Sequence, residues 1–371
     1  MILWILKLFL RSKEIEKKDI RLENIKSILI VRQHNQLGDM LCSVPLFSAL
    51  RNKFPDSEIT LVASPINYEI LYSDINPYID DVIVYRKATF KELKDFYKKL
   101  RSKRYDLGIV PSTVSLSRTS HFINYLSRAP IRVGVKNIDG KLNKTEFLLN
   151  VKSDFEWDKK RMHQTERNLD VGRQLGIELN EKDKIRTEIK LSKEEIRFGE
   201  KYIKDNFNDN GKPIIAFHPG AGKIQNRWSV DKFYKLIILL RAKYNNHILI
   251  TSGSIDKKIT DKLKDNLKAK KLPSVILDNT TIRKVASVIT KTNLYITNDT
   301  GTLHVGGYVN ANVLALFGST HGYEWAPERE NVRFIQSPTD NVNDISVEMV
   351  FEEACKFLNF ILKKSPEHNG G

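Results

Sequence analysis

Cysteine is almost missing from this chain: Cys42 and Cys355 are the only two in 371 residues. That excludes a disulfide framework and a Cys-based zinc site, so a reducing compartment and no structural metal are expected. Long apolar runs are missing too. The most hydrophobic stretch, Met1 to Leu10 (MILWILKLFL), is interrupted by Lys7 and reaches about half of the ~20 residues a membrane span requires. It has neither a basic stretch before it nor the small residues of a cleavage site, so it does not read as a signal peptide, and a cytoplasmic protein is expected. No DxD pair stands out as a metal site, no Gly-rich turn has the Walker spacing, and no repeat of 20 to 50 residues is visible. Core-forming material is plentiful: 41% hydrophobic against 29% charged residues, with 18 Gly and 12 Pro, excludes a disordered or fibrous chain.

Positive charge is in excess. Lys plus Arg number 61 against 45 Asp plus Glu, a formal +16, which favours phosphates, acidic lipid or nucleic acid as partners. The lysine-rich stretch KKITDKLKDNLKAKK at 257–271 is the obvious nucleic-acid candidate. It reads instead as a solvated amphipathic helix with no interleaved aromatics, so no nucleic acid is expected. At the N-terminus, Trp4 and Phe9 beside Lys7, Arg11 and Lys13 fit a helix lying in a membrane interface, and equally one packed on its own protein.

From residue 26 onward, short β-branched runs alternate with amphipathic stretches of helical length, the pattern of parallel sheets with crossover helices. One series has strands at 27–31, 58–63, 81–85, 107–110 and 131–135. A second has strands at 214–217, 247–251, 274–277, 294–297 and 313–317. Between them, 157–176 reads as a helix and the polar stretch 178–188 as a linker. The division is an N-terminal amphipathic extension at 1–25, Rossmann-like domains at 26–180 and 181–345, and a C-terminal helix at 346–364. In such folds ligands bind outside the carboxyl ends of the strands, so the chemistry should sit in loops that follow strands.

Three such loops stand out. In RQHNQLGDMLCSVP, Asp39 begins a helix; it is either an N-cap or a general base for an attacking hydroxyl, with Gly38 allowing close approach. In HPGAGKIQNRWS, Gly220, Ala221 and Gly222 are small enough to admit a phosphate to the backbone, and Lys223 or Arg227 would neutralise it. Here His218 reads as a hydrogen-bonded strand end, Trp228 as core and Ser229 as a helix cap. In NDTGTLH, Thr300 and Gly301 start a helix whose free N–H groups suit a diphosphate, with His304 one turn further in. The alternative makes Asp299 an N-cap and His304 a buried structural residue.

At these loops the sequence resembles the heptosyltransferases of glycosyltransferase family nine, which add heptose from ADP-heptose to the lipopolysaccharide inner core. SILIVRQHNQLGDMLCSVPLFSALRNKFPDSEITLVA is similar to that family's opening strand, Gly-Asp loop and helix. HPGAGKIQNRW is similar to its His-Pro-Gly segment, and TNDTGTLHVGGYVNANVLALFGST to its Asp-Ser/Thr-Gly-x-x-His signature. The resemblance implies an α/β fold of GT-B type, with two doubly wound Rossmann-like domains facing across a cleft that closes, and a C-terminal helix returning to the first domain. It implies an acceptor on the first domain and a nucleotide sugar on the second. Asp39 then matches the catalytic base, and Lys223 or Arg227 the donor-phosphate cation. Asp299, Thr300, Gly301 and His304 match the donor loop, and Asp256 the acid near the nucleotide ribose. The implied reaction is inverting and independent of metal or cofactor, with ADP-heptose or another nucleotide-diphosphate sugar as donor. Its acceptor is a lipid-linked or oligosaccharide glycan reached from the anionic inner leaflet. A nucleotide-sugar epimerase or hydrolase of the same architecture is the alternative.

Overall fold

The computed structural model describes residues 2–71, 75–86, 89–208 and 210–364. The chain divides between Lys190 and Leu191 into two compact units. Strands of the first are β1 (Ser27–Arg32), β2 (Glu58–Ala63), β3 (Asp81–Val84), β4 (Leu107–Ile109), β5 (Ile131–Ile138), β6 (Lys141–Leu142) and β7 (Val151–Phe155). Their order is 3-2-1-4-5, all parallel, with β6 antiparallel and β7 parallel to β5. The apolar run of β1 is buried throughout, pairing Ile28 with Ile59 on one side and with Leu107 on the other. Such runs without alternation are what a parallel sheet covered on both faces requires.

The second unit repeats the winding. Strands β8 (Ile214–His218), β9 (His247–Thr251), β10 (Val275–Leu277), β11 (Leu294–Asn298), β12 (Val313–Phe317) and β13 (Val332–Gln336) form an all-parallel sheet in the order 10-9-8-11-12-13. The strand order reverses between β8 and β11, which pair directly, and open α/β sheets bind ligands at such a switch point. The His-Pro-Gly loop leaves β8 and the Asn-Asp-Thr-Gly loop leaves β11, so the topology sets two of the three sequence motifs side by side.

Two expectations are corrected. The helix expected over 157–176 spans only Gln164–Arg173, because Trp157 is buried in a turn, stacked on Phe155 and donating its indole N–H to Asp170 at 2.9 Å. The polar linker contains a helix, Glu181–Arg186, capped by Asn180. The C-terminal helix Val347–Lys364 lays Val350, Ala354, Phe357 and Leu358 into the core of the second unit with Phe233, Leu236 and Leu240. Its apolar face is thereby filled within that unit.

The N-terminal helix Ile2–Leu10 has two unlike sides. Leu3, Leu6 and Leu10 are half-buried, and Lys7 pairs with Glu146 at 2.9 Å. Just after it, Ser12 N–H donates to the Phe147 carbonyl and Ile15 N–H to that of Asn150, fastening the segment to the first unit. On the other side Trp4, Leu8 and Phe9 are 67%, 63% and 81% exposed.

Candidate functional site

In the first unit, β1 delivers the chain into the short helix Leu37–Leu41, and Asp39 lies in its first turn. Gln36 is the N-cap residue, which removes the capping role for Asp39. The Asp39 side chain is buried. Its neighbour is Arg32, the last residue of β1, with Nη2 at 3.7 Å from Oδ2. Arg32 also donates from Nη2 to the Asp39 carbonyl at 3.1 Å and from Nη1 to the Pro111 carbonyl at 2.8 Å. Burial pushes the guanidinium pKa down, and the Asp39 carboxylate pulls it part of the way back. His34 sits in the same field; burial and the Arg32 charge lower its pKa against the opposing pull of Asp39. Ser43 Oγ lies 3.0 Å from the Asp39 carbonyl and 2.9 Å from Asn168 Oδ1, tying the turn to the helix Gln164–Arg173. The result is a buried carboxylate with a fixed countercharge.

In the second unit the two phosphate-type loops are joined. Asn226 Nδ2 donates to the Asp299 carboxylate at 2.8 Å and to the Asp299 carbonyl at 3.3 Å. Burial raises the Asp299 pKa, while the Thr320 hydroxyl and the charge of Lys223 pull it down. The Lys223 side chain is exposed and forms no hydrogen bond or ion pair among the described residues, whereas Arg227 donates Nε to the Ala221 carbonyl at 2.8 Å. The two cations are thus unequal: one is available to a ligand, the other partly holds the loop. Thr300, not Asp299, is the N-cap of the helix Gly301–Tyr308, and its side chain makes no capping bond. Of its first N–H groups, that of Leu303 donates to the Thr300 carbonyl at 3.1 Å, and those of Gly301 and Thr302 lie ahead of the first intrahelical acceptor. His304 is buried one turn in, edge-on to Trp325. Ser229 caps the helix Val230–Tyr244, and Trp228 is core, as the sequence implies.

Asp256, expected near the nucleotide ribose, lies against the loop after β8. Its carboxylate is buried, Oδ2 is 3.8 Å from His218 Nε2, and Oδ1 has no hydrogen-bond partner. It fills the space above Gly220 Cα, where a Cβ would come within 2.1 Å of the carboxylate carbon. His218 Nδ1 is 3.1 Å from the Thr251 carbonyl and 3.0 Å from the Thr251 hydroxyl. Its pKa is lowered by burial and partly restored by Asp256.

Arg32, Asn226 and Asn298 were not singled out by the motifs. A charged or amide residue closing an otherwise apolar strand, as in SILIVR and LYITN, is the signal that marks two of them.

The family profile described as Glycosyltransferase family 9 (heptosyltransferase) matches residues 93–354. Lipopolysaccharide heptosyltransferase 3 of Escherichia coli K12 is 24% identical over 344 residues, 87% of this chain and 91% of that protein. The glycosyl transferase family 9 structure from Veillonella parvula superposes with a TM-score of 0.76 at 18% identity, over 90% of this chain and 97% of that one. Escherichia coli ADP-heptose lps heptosyltransferase II gives a TM-score of 0.72 at 20% identity, covering 91% and 99%. These likenesses establish a GT-B-type fold of two Rossmann-like units, and the profile match covers well over half of the sequence. The chain belongs to glycosyltransferase family 9 and is a glycosyltransferase.

Proposed function

We propose that this enzyme transfers a heptose from ADP-heptose to a lipopolysaccharide inner-core acceptor, in a single inverting displacement that needs no metal ion. The observation that supports the donor half is the Asn226–Asp299 bond, which joins the loops after β8 and β11. Lys223 and the N–H groups at Gly301 would meet the diphosphate there, with the adenosine also on the second unit. In the first unit Asp39 accepts the proton of the acceptor hydroxyl. The hydroxyl oxygen bonds to the anomeric carbon as the bond to the diphosphate breaks, and ADP leaves with the electron pair. Stabilising that leaving charge with prearranged donors and a cation is the main catalytic demand on the second unit.

The place of work follows from the acceptor. Among the described residues no helix is long and apolar enough to cross a membrane. The exposed side of the helix Ile2–Leu10 and the +16 charge favour reversible attachment to the anionic inner leaflet.

The test is incubation of the purified protein with ADP-heptose and a heptose-deficient core acceptor, with and without EDTA, reading product mass and anomeric configuration. Transfer with inverted configuration, undiminished by EDTA, is expected. Retained configuration or a strict need for added Mg²⁺ or Mn²⁺ contradicts the mechanism. Free or epimerised sugar formed without acceptor identifies a hydrolase or epimerase instead.

A further inference from the structure

The loop after β8 has an ordered backbone with one feature in common along its first half. The carbonyls of Pro219 and Gly220 both accept from Asn298 Nδ2, at 2.9 and 3.2 Å, and the Ala221 carbonyl accepts from Arg227 Nε. Three successive carbonyls are therefore tied to the protein. No peptide bond among the described residues is cis, and in a trans peptide the N–H points opposite to the C=O of the same unit. Tying the Gly220 and Ala221 carbonyls thus turns the N–H groups of Ala221 and Gly222 the other way. Neither donates to a protein acceptor among the described residues. Gly222 faces open space, since a Cβ built there meets nothing within 4 Å.

Asn298 also fixes the loop's far end. Its Oδ1 accepts from the Trp228 N–H at 3.1 Å, and Trp228 is itself locked in the core with its indole donating to the Ile345 carbonyl. One fully buried amide thus uses both donors on the loop's entry and its acceptor on the exit. It is the last residue of β11, one position before the Asp299 that holds Asn226 in the middle of the loop.

We propose that Asn298 is a positioning residue for the donor diphosphate: it never touches the nucleotide, and it orients the Ala221 and Gly222 N–H groups toward it. The inference rests on the donor reading above. Lys223 would then add charge to a backbone cradle already formed, rather than create the site alone.

Asn298→Asp separates this role from simple packing. It keeps the oxygen that accepts from Trp228 and replaces the amide donors with an oxygen that repels the Pro219 and Gly220 carbonyls. Calorimetry with ADP should show Kd raised roughly tenfold to a hundredfold, the usual range for losing hydrogen bonds to a charged group. In the transfer assay KM for the donor should rise while KM for the acceptor stays put. A loss of kcat that follows the folded fraction, with donor KM unchanged, assigns Asn298 a merely structural role and overturns the proposal. Hydrogen exchange on the wild-type chain gives an independent reading should the variant fail to fold: ADP should protect the amides of Ala221 and Gly222, and unchanged exchange there overturns the proposal. Wild-type protein that binds no ADP overturns the donor reading together with this inference, whereas equal binding by wild type and N298D overturns the inference alone.

Discussion

Arg32 and Asp39 form a buried ion pair at the carboxyl end of β1, with side chains only 4% and 8% exposed. The pairing means that Asp39→Asn does two things at once. It removes the proposed proton acceptor, for which a rate loss of ~10² to 10⁴ is expected, and it leaves the Arg32 charge buried without its partner. Removing one member of a buried pair costs on the order of 3 to 5 kcal/mol, so the variant should also melt earlier. Transfer measured well below the melting temperature, with the folded fraction checked by circular dichroism, should still be lost, and ADP affinity should stay within a few fold. Wild-type turnover per folded molecule would remove Asp39 from the chemistry and leave it a structural partner of Arg32.

Lys223 and Arg227 should differ as phosphate contacts. Lys223→Ala removes an exposed, uncommitted charge and should weaken ADP binding by roughly 1.5 to 3 kcal/mol, the value of a charge-assisted hydrogen bond. Arg227→Ala frees the Ala221 carbonyl, so its smaller effect should come through the order of the loop. Calorimetric titration with ADP ranks the two, and unchanged affinity in both would take this loop out of the site.

Much of this was legible in the sequence, and what was not has physical reasons. Strands such as EITLVA, HILIT and VLALF match their runs end to end, since central parallel strands are buried on both faces and need unbroken apolar sequence. Strands β7 and β13 escaped because they are only partly buried and carry mixed sequences, VKSDF and VRFIQ. In the helix Phe90–Arg101, Phe90 stands at helical spacing with Leu93, Phe96, Tyr97 and Leu100, yet it is 85% exposed, since the capping box of Thr89 and Glu92 sets the helix start there and Phe96 and Leu100 fill the core. The roles of Asn298 and Arg32 depend on contacts with residues 70 or more positions away, Trp228 and Pro111, which no local pattern encodes.

His121 gives the first unit a pH limit. It is buried, with Nδ1 3.1 Å from Thr145 Oγ1 and Nε2 3.3 Å from Asn143 Nδ2. Burial pushes its pKa down to about 4, against a smaller upward pull from its backbone bond with Ser117. The unfolded chain, with an ordinary histidine pKa near 6.5, takes up a proton that the native state refuses between those values. The contribution is therefore fully present above about pH 6.5 and is lost as pH falls toward 4, by on the order of 3 kcal/mol. Urea unfolding of wild type and His121→Gln between pH 7 and 4 checks this. The stability gap should narrow by about that amount on acidification, and parallel curves would show that His121 titrates normally.

The N-terminal helix makes a prediction that the structure sharpens. Deleting residues 1 to 20 is a poor test of membrane attachment, because it also removes the Lys7–Glu146 pair and the bonds from Ser12 and Ile15 that cover the segment 146–150. Leu6 belongs to the half-buried side of the helix, so the free surface is that of Trp4, Leu8 and Phe9. Replacing these three with serine leaves every fastening in place. Wild-type protein should pellet with vesicles containing anionic lipid at low salt. Basic residues near such a surface add ~1 kcal/mol each, and added salt should release part of the protein by screening that attraction. The triple variant should move to the supernatant while transferring heptose to a soluble core fragment at the wild-type rate. Were the full-length chain to ignore anionic vesicles at low salt, the helix would be a cover for residues 146–150, and its exposed aromatic residues would have no lipid partner.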